Sequence, residues 1–211
     1  MYIPRQFEAP DIAAMHQLIR AKPLATLVTL NDGGIEANPV PLLLSTETGR
    51  NATLSGHVAS ANPLWRDHPA DAEVLAVFHG ADSYITPSWY ASKAESGKVV
   101  PTWNYVSVQA RGRLRVIHDP DWILSRLELL TAHNEAGFDH PWAVSDAPRE
   151  FTLKLLEAIV GIEIEITDLV GKWKVSQNRP DRDRASVIDG LANAGHCEMA
   201  ELVKSGGKGR L

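Results

Sequence analysis

The feature that most constrains this chain is a strict two-residue alternation between Val106 and Val116. Val106, Val108, Ala110, Gly112, Leu114 and Val116 fall on one face, and Ser107, Gln109, Arg111, Arg113 and Arg115 on the other. Successive side chains of a strand point to opposite sides of a sheet. The pattern therefore predicts a long half-buried strand, from Val100 to Ile117, with a packed side and a wet side. Three arginines on one face invite a phosphate-binding reading; the simpler one, a solvated barrel exterior, carries more weight.

Turn chemistry predicts the neighbouring strands. Leu24 to Leu30 reads as a strand turned by Asn31-Asp32-Gly33-Gly34 into a second strand near Ile35 to Leu44. Thr48-Gly49-Arg50-Asn51 turns into a third, Ala52 to Val58, and a short helix around Asn62 to Arg66 leads to an apolar strand, Glu73 to Phe78. Gly161 to Thr167 is a further strand, and Asp168-Leu169-Val170-Gly171 is expected to turn into Lys172-Trp173-Lys174-Val175.

Helices stand at the ends and late in the chain. Asp11 caps a first helix whose Ile12, Met15, Leu18 and Ile19 share a face, and Pro23 ends it. Asp119-Pro120-Asp121 starts a helix through about Asn134, Gly137 to Ala147 is a loop, and Pro148 starts another helix to about Val160. Arg182 to Ala194 and His196 to Val203 follow. Strands joined by tight turns come first and helices are added afterwards, which is not βαβ alternation. The expected class is mainly β with peripheral helices (α+β): a small antiparallel barrel. With no repeat and no dividing linker, residues 1–205 are expected to form one domain, with 206–211 a disordered tail.

Composition narrows the function classes. The chain has 211 residues, 44% hydrophobic and 22% charged, an ordinary globular balance. No apolar run approaches the roughly 20 residues of a membrane span. The segment Met1 to Glu8 lacks the layout of a secretion signal, and the single cysteine, Cys197, suits a reducing compartment, so a cytoplasmic location is expected. A formal net charge of -5 argues against non-specific nucleic-acid binding. There is no G-x-G-x-x-G after a strand, no P-loop and no G-x-S-x-G elbow. The eight histidines form no H-E-x-x-H and have no C-x-x-C partner, so no metal site is expected. Acidic pairs such as Asp71/Glu73 and Glu163/Glu165 sit on expected solvent faces.

Two stretches do not read as ordinary core: Ser83 to Tyr90, and Val99-Val100-Pro101-Thr102-Trp103-Asn104-Tyr105. They interleave Trp89, Trp103, Tyr84, Tyr90 and Tyr105 with prolines and small hydroxyls. Flat aromatic walls with a few polar tips suit a planar ligand, and an aromatic mini-core at a barrel end explains them equally. Thr102 and Asn104 share the packed face of the long strand, where polar groups need a partner.

These stretches belong to a wider set. Met1-Tyr2-Ile3-Pro4 with Phe7, Gly56-His57-Val58-Ala59-Ser60-Ala61-Asn62-Pro63-Leu64-Trp65, Tyr84 to Tyr90, Val100 to Tyr105 and Gly171 to Arg179 occur in order along the chain. Together they resemble the PaiB-type FMN-binding negative transcriptional regulator family. The resemblance implies a split β-barrel like that of pyridoxamine-phosphate oxidase, a homodimer with FMN in a cleft between subunits, and a repressor role. The alternative it leaves is a flavin-dependent oxidoreductase of the same superfamily. No side chain stands out as a catalyst, so redox chemistry would be the flavin's.

In such proteins the strand after the second hairpin and the loop behind it face the cofactor. Here that implies Ser55, His57, Ser60 and Asn62, with their backbone N–H groups, as donors, and Asn62-Pro63 as a helix start suited to an anion. His57 reads equally as an ordinary barrel-end histidine with a backbone partner. Related oxidases carry a Lys or Arg in this loop, and none lies between Asn51 and Trp65. The phosphate charge is therefore expected to meet Lys172, Lys174 or Arg179, or Lys93 and Lys98. Trp89, Thr102, Trp103 and Asn104 complete the expected cofactor set. Gln177 and Asn178 are expected either to bind the ribityl chain or phosphate, or to cap the following helix. DNA remains a partner without a motif, because neither the helix from Asp121 nor the one from Pro180 has a basic recognition face.

Overall fold

Tight turns and period-two segments place seven strands in one sheet. The computed structural model describes residues 1–31, 33–46, 51–67 and 73–207. The strands are β1 (Leu24–Asn31), β2 (Gly34–Pro41), β3 (Leu43–Ser45), β4 (Thr53–Ala59), β5 (Glu73–Ile85), β6 (Thr102–Ile117) and β7 (Ile159–Lys174), in sheet order β2-β1-β5-β6-β7-β4-β3. β1 pairs antiparallel with β2 and β5, and β4 antiparallel with β3 and β7. The helices are α1 (Ile12–Ala21), α2 (Leu64–Asp67), α3 (Lys93–Ser96), α4 (Pro120–Glu135), α5 (Arg149–Leu156), α6 (Asp181–Asn193) and α7 (Cys197–Lys204).

Several expectations land on these elements. Asp11 caps α1 by accepting from the Ala14 N–H at 2.7 Å, and Asp119 caps α4. Along β6, Val106, Val108, Ala110 and Leu114 are buried while Arg111, Arg113 and Arg115 are exposed. Arg111 and Arg115 pair with Glu73 and Glu163, the solvated face that the alternation favoured. Ser107 departs from the alternation and is buried.

Three expectations are corrected. The second strand is broken at Leu42, which is fully buried and donates its N–H to the Pro23 carbonyl one step past the last β1–β2 pair, after which Leu43–Ser45 pair with β4 instead. The helix begun at Pro148 stops at Leu156, because the chain enters β7 at Ile159. Asp168 to Gly171 is not a turn: β7 runs through it without interruption. Gly171 serves close approach there, since a Cβ would lie 2.7 Å from the Trp173 ring and 2.8 Å from Ala9 Cβ. Pairing has overridden local turn propensity. Asp32, residues 48–50 of the second turn, His68, Asp71 and residues 208–211 of the tail lie outside the described residues.

The chain forms two compact units. One comprises Met1–Lys22, Phe78–Gln109 and the residues from Val170 onward; the other Pro23–Val77 and Ala110–Leu169. In the first, Leu18 and Ile19 of α1 are fully buried, a Cβ on Gly80 would meet Leu18 at 2.8 Å, and Trp173, Val175, Val187 and Leu191 complete the core. In the second, Leu27, Leu54, Ile162 and Ile164 are fully buried. Gly112 of β6 lies so close to β7 that a Cβ would be 2.3 Å from the Glu165 carbonyl oxygen. Each fully buried aliphatic side chain contributes about 1.5–3 kcal/mol.

Candidate functional site

In the first unit, the end of β7 and the start of β6 gather most of the expected residues. Lys172 and Lys174 are two apart on β7 and so share a face, while Trp173 between them points into the core. Lys172, only 9% exposed, donates to the Tyr2 carbonyl at 3.1 Å and lies 5.3 Å from the centre of the Tyr105 ring. Lys174 donates to the Thr102 hydroxyl and, at 2.7 Å, to the Trp103 carbonyl; its Nζ is 5.9 Å from the same Tyr105 ring. Arg179 lies over the Tyr90 ring at 4.6 Å.

Carbonyls, one hydroxyl and aromatic faces satisfy the geometry of these cations without neutralising them. Among the described residues, none of the three forms a salt bridge with a carboxylate. The charge of Arg179 does reach Asp183, whose carboxylate is already taken by Ser92. Lys174 registers the imbalance: burial, then the positive charges of Lys172 and Arg179, lower its pKa below the ordinary lysine value, against an opposing pull from Tyr105. A group of cations without carboxylate partners suits a dianionic group such as a phosphate monoester.

The other expected residues of this unit are committed to the fold. Asn104, 1% exposed, donates to the Ser176 hydroxyl at 2.9 Å, and that hydroxyl donates back to Asn104 Oδ1 at 3.3 Å. The partner that a polar residue on the packed face requires is thus in the chain itself. Ser176 holds φ 63, a left-handed conformation uncommon outside glycine, and this places its hydroxyl on Asn104. Both ends of the Gln177 amide serve the turn, accepting from the Val175 N–H at 2.7 Å and donating to the Trp173 carbonyl. Asn178 is exposed. Trp89 packs on α6, where a Cβ on Gly190 would come within 2.5 Å of its ring. Lys93 donates to Ser88 at 3.3 Å.

The second unit holds the rest. Ser55 is buried and its hydroxyl has no partner among the described residues. The expected backbone donors are already engaged: the Ser60 N–H donates to Ala158 and the Asn62 N–H to Ala59, each at 2.8 Å. Asn62 caps α2 by accepting from the Leu64 N–H at 2.9 Å, and α2 is only four residues long. The Ser60 carbonyl accepts from Trp65 Nε1 at 3.1 Å and from Arg66 at 3.0 Å, and Arg66 stacks on the Trp65 ring. His57 is half-buried, and burial lowers its pKa, so its ring is neutral at pH 7. Sequence reasoning missed Tyr105 as the ring shared by two lysines, Ser176 as the partner of Asn104, and Arg66. The one-residue offset of Arg66 from the loop hid it, whereas nothing in the sequence pairs positions 104 and 176.

Comparison with known proteins identifies the family. The family described as "Putative FMN-binding domain" matches residues 1–168. The protease synthase and sporulation protein PAI 2 of Bacillus subtilis is 30% identical, with 97% of each chain covered. An uncharacterized protein of Emericella nidulans is 33% identical over 99% of this chain and 98% of its own. The flavocytochrome Anf3 from Azotobacter vinelandii superposes with TM-score 0.57 at 18% identity, over 82% of this chain and 72% of that one. The FAD and heme binding protein from Mycobacterium smegmatis gives 0.56 at 20% identity, over 85% and 79%. The last two establish a shared fold, the flavoprotein split barrel. The chain belongs to the FMN-binding family that the Bacillus PAI 2 protein represents.

Proposed function

We propose that this chain is an FMN-dependent protein whose Lys172, Lys174 and Arg179 receive the cofactor phosphate. The carrying observation is that these three cations lack carboxylate partners among the described residues while Lys174 is pressed toward its neutral form. A bound phosphate would restore charge balance, and the rings of Tyr105 and Trp103 would border the ligand. When bound, FMN supplies one- and two-electron redox chemistry. The protein's own residues bind the phosphate, hold the lysine protons and limit water around them; no side chain acts as a proton-transfer catalyst in this reading.

The test compares FMN with riboflavin by fluorescence quenching. Parent protein is expected to prefer FMN, and Lys174→Gln or Lys172→Gln to lose that preference while binding riboflavin as before. Equal loss of both ligands, or of neither, would place the phosphate elsewhere.

The protein acts as a homodimer in this proposal. Tyr84 and Trp103 are 47% and 54% exposed and meet edge to face at 5.9 Å, an apolar patch suited to a seam. The exposed thiol of Cys197 is consistent with a reducing, cytoplasmic setting.

A second reading, repression of transcription, rests on the resemblance to the PaiB-type regulator family; the name of the Bacillus relative speaks only of protease synthesis and sporulation. The α6 arginines do not favour direct DNA contact, since Arg182 pairs with Glu95 and Arg184 with Asp181. A gel shift with the operon promoter, lost steeply with added salt, would favour this reading over the redox one.

A further inference from the structure

The second unit contains a pocket that the phosphate assignment above does not use, although the family resemblance implied a cofactor role for His57 in its lining. β4 and the start of β7 form one side of it, and α4, α5 and the segment between them the other. Its volume is about 320 Å³, within the range of small-molecule sites. Leu127, Trp142, Phe151 and Leu155 supply the wall, Thr131 a hydroxyl and His57 an imidazole. No carboxylate, ammonium or guanidinium group lines it. The His57 ring has no hydrogen-bond partner among the described residues, so it is not the backbone-partnered barrel-end histidine of the simpler reading.

We propose that this pocket binds a neutral, largely apolar aromatic molecule of small-molecule size that presents one hydrogen-bonding group to His57. Three features select that class. An uncharged lining penalises an ionic ligand, whose desolvation nothing here would offset. Aromatic side chains at the wall favour a flat ring. A single unpartnered imidazole in an apolar concavity fixes one polar atom of the ligand, the usual division between affinity and orientation in such sites. FMN itself is a poor occupant, because its phosphate would meet no cation. A second copy of the chain is also disfavoured: stable interfaces bury about 800 Å² on each partner, and this concavity is of ligand size.

The probe is 2-naphthol, with naphthalene and naphthalene-2-sulfonate as comparators, titrated calorimetrically into the full chain. The expected order is naphthol, then naphthalene, with the sulfonate weakest. Ala147→Trp, which fills the pocket, is expected to abolish naphthol binding and leave FMN binding and molecular mass in solution unchanged. His57→Leu is expected to keep naphthalene binding but reduce the naphthol preference by about tenfold at most, the worth of one hydrogen bond. Undiminished naphthol binding in Ala147→Trp overturns the proposal, as does a preference for the sulfonate. A changed mass in Ala147→Trp would make the concavity an interface, and loss of FMN binding in that variant alone would make it part of the cofactor site; either result also overturns it. Failure of the parent to bind FMN counts against the phosphate assignment and leaves this test intact.

Discussion

Lys174 carries a charge that its surroundings oppose, and this gives it a measurable pH signature. Burial and the charges of Lys172 and Arg179 lower its folded-state pKa below that of an ordinary lysine. Between the folded and unfolded pKa values the native state holds fewer protons, so this residue's effect on stability becomes more favourable as pH rises through that window. Anion binding should run the other way, weakening as pH climbs through the folded pKa. FMN titrations across that range should show the fall in parent protein and a flat profile in Lys174→Gln. Loss of a charge-assisted hydrogen bond of about 1.5–3 kcal/mol predicts FMN affinity roughly ten- to a hundredfold weaker near neutral pH. Asp183 shows the opposite sign. Burial raises its pKa, but hydrogen bonds from the Ser92 N–H and hydroxyl, each 2.8 Å, and the charges of Arg182 and Arg179 outweigh it, so the carboxyl stays below its ordinary value. Its stabilisation is complete above the unfolded value of about 3.9 and is lost as pH falls through the folded one. Asp183→Asn should destabilise at neutral pH by about 1–3 kcal/mol in denaturant melts, and the gap from parent should close in strong acid.

Among the elements, α6 and β7 are the ones whose sequence and structure are most usefully set side by side. Helix propensity alone makes Gly190→Ala a stabilising change of up to about 1 kcal/mol. Its new methyl would lie 2.5 Å from the Trp89 ring, so we predict net destabilisation of about 1–3 kcal/mol in thermal or urea unfolding. β6 was legible because alternation is a backbone property that burial repeats along the strand, Ser107 excepted. β7 was only half legible: Asp168 and Gly171 have turn chemistry, and the pairing that keeps the strand continuous involves residues far away in sequence. The Lys172/Lys174 face could be read from spacing. That Lys174 would reach Thr102 and Trp103, or that Ser176 would meet Asn104, depends on long-range register, which no local pattern encodes. The β4 loop shows the converse. Its residues have the composition of a phosphate loop, but the Ser60 and Asn62 N–H groups are spent on the fold.

For the whole molecule, family membership and composition together say more than either alone. Five short motifs were enough to indicate the split barrel, because they recur in order from residue 1 to about residue 190. They do not indicate how the chain divides into two compact units, since β5, β6 and β7 each contribute to both. If Tyr84 and Trp103 form the dimer seam, Trp103→Asp should halve the mass measured by light scattering, and Trp173→Asp should instead unfold the protein. The uninterrupted run of β7 has one more implication. A single residue inserted between Leu169 and Lys172 would invert the facing of everything after it, presenting an indole to solvent and driving two ammonium groups into oil. Homologues are therefore expected to vary freely in the hairpin tips while keeping the spacing along this stretch fixed, and a library of one-residue insertions scored for flavin colour should find it the least forgiving part of the chain.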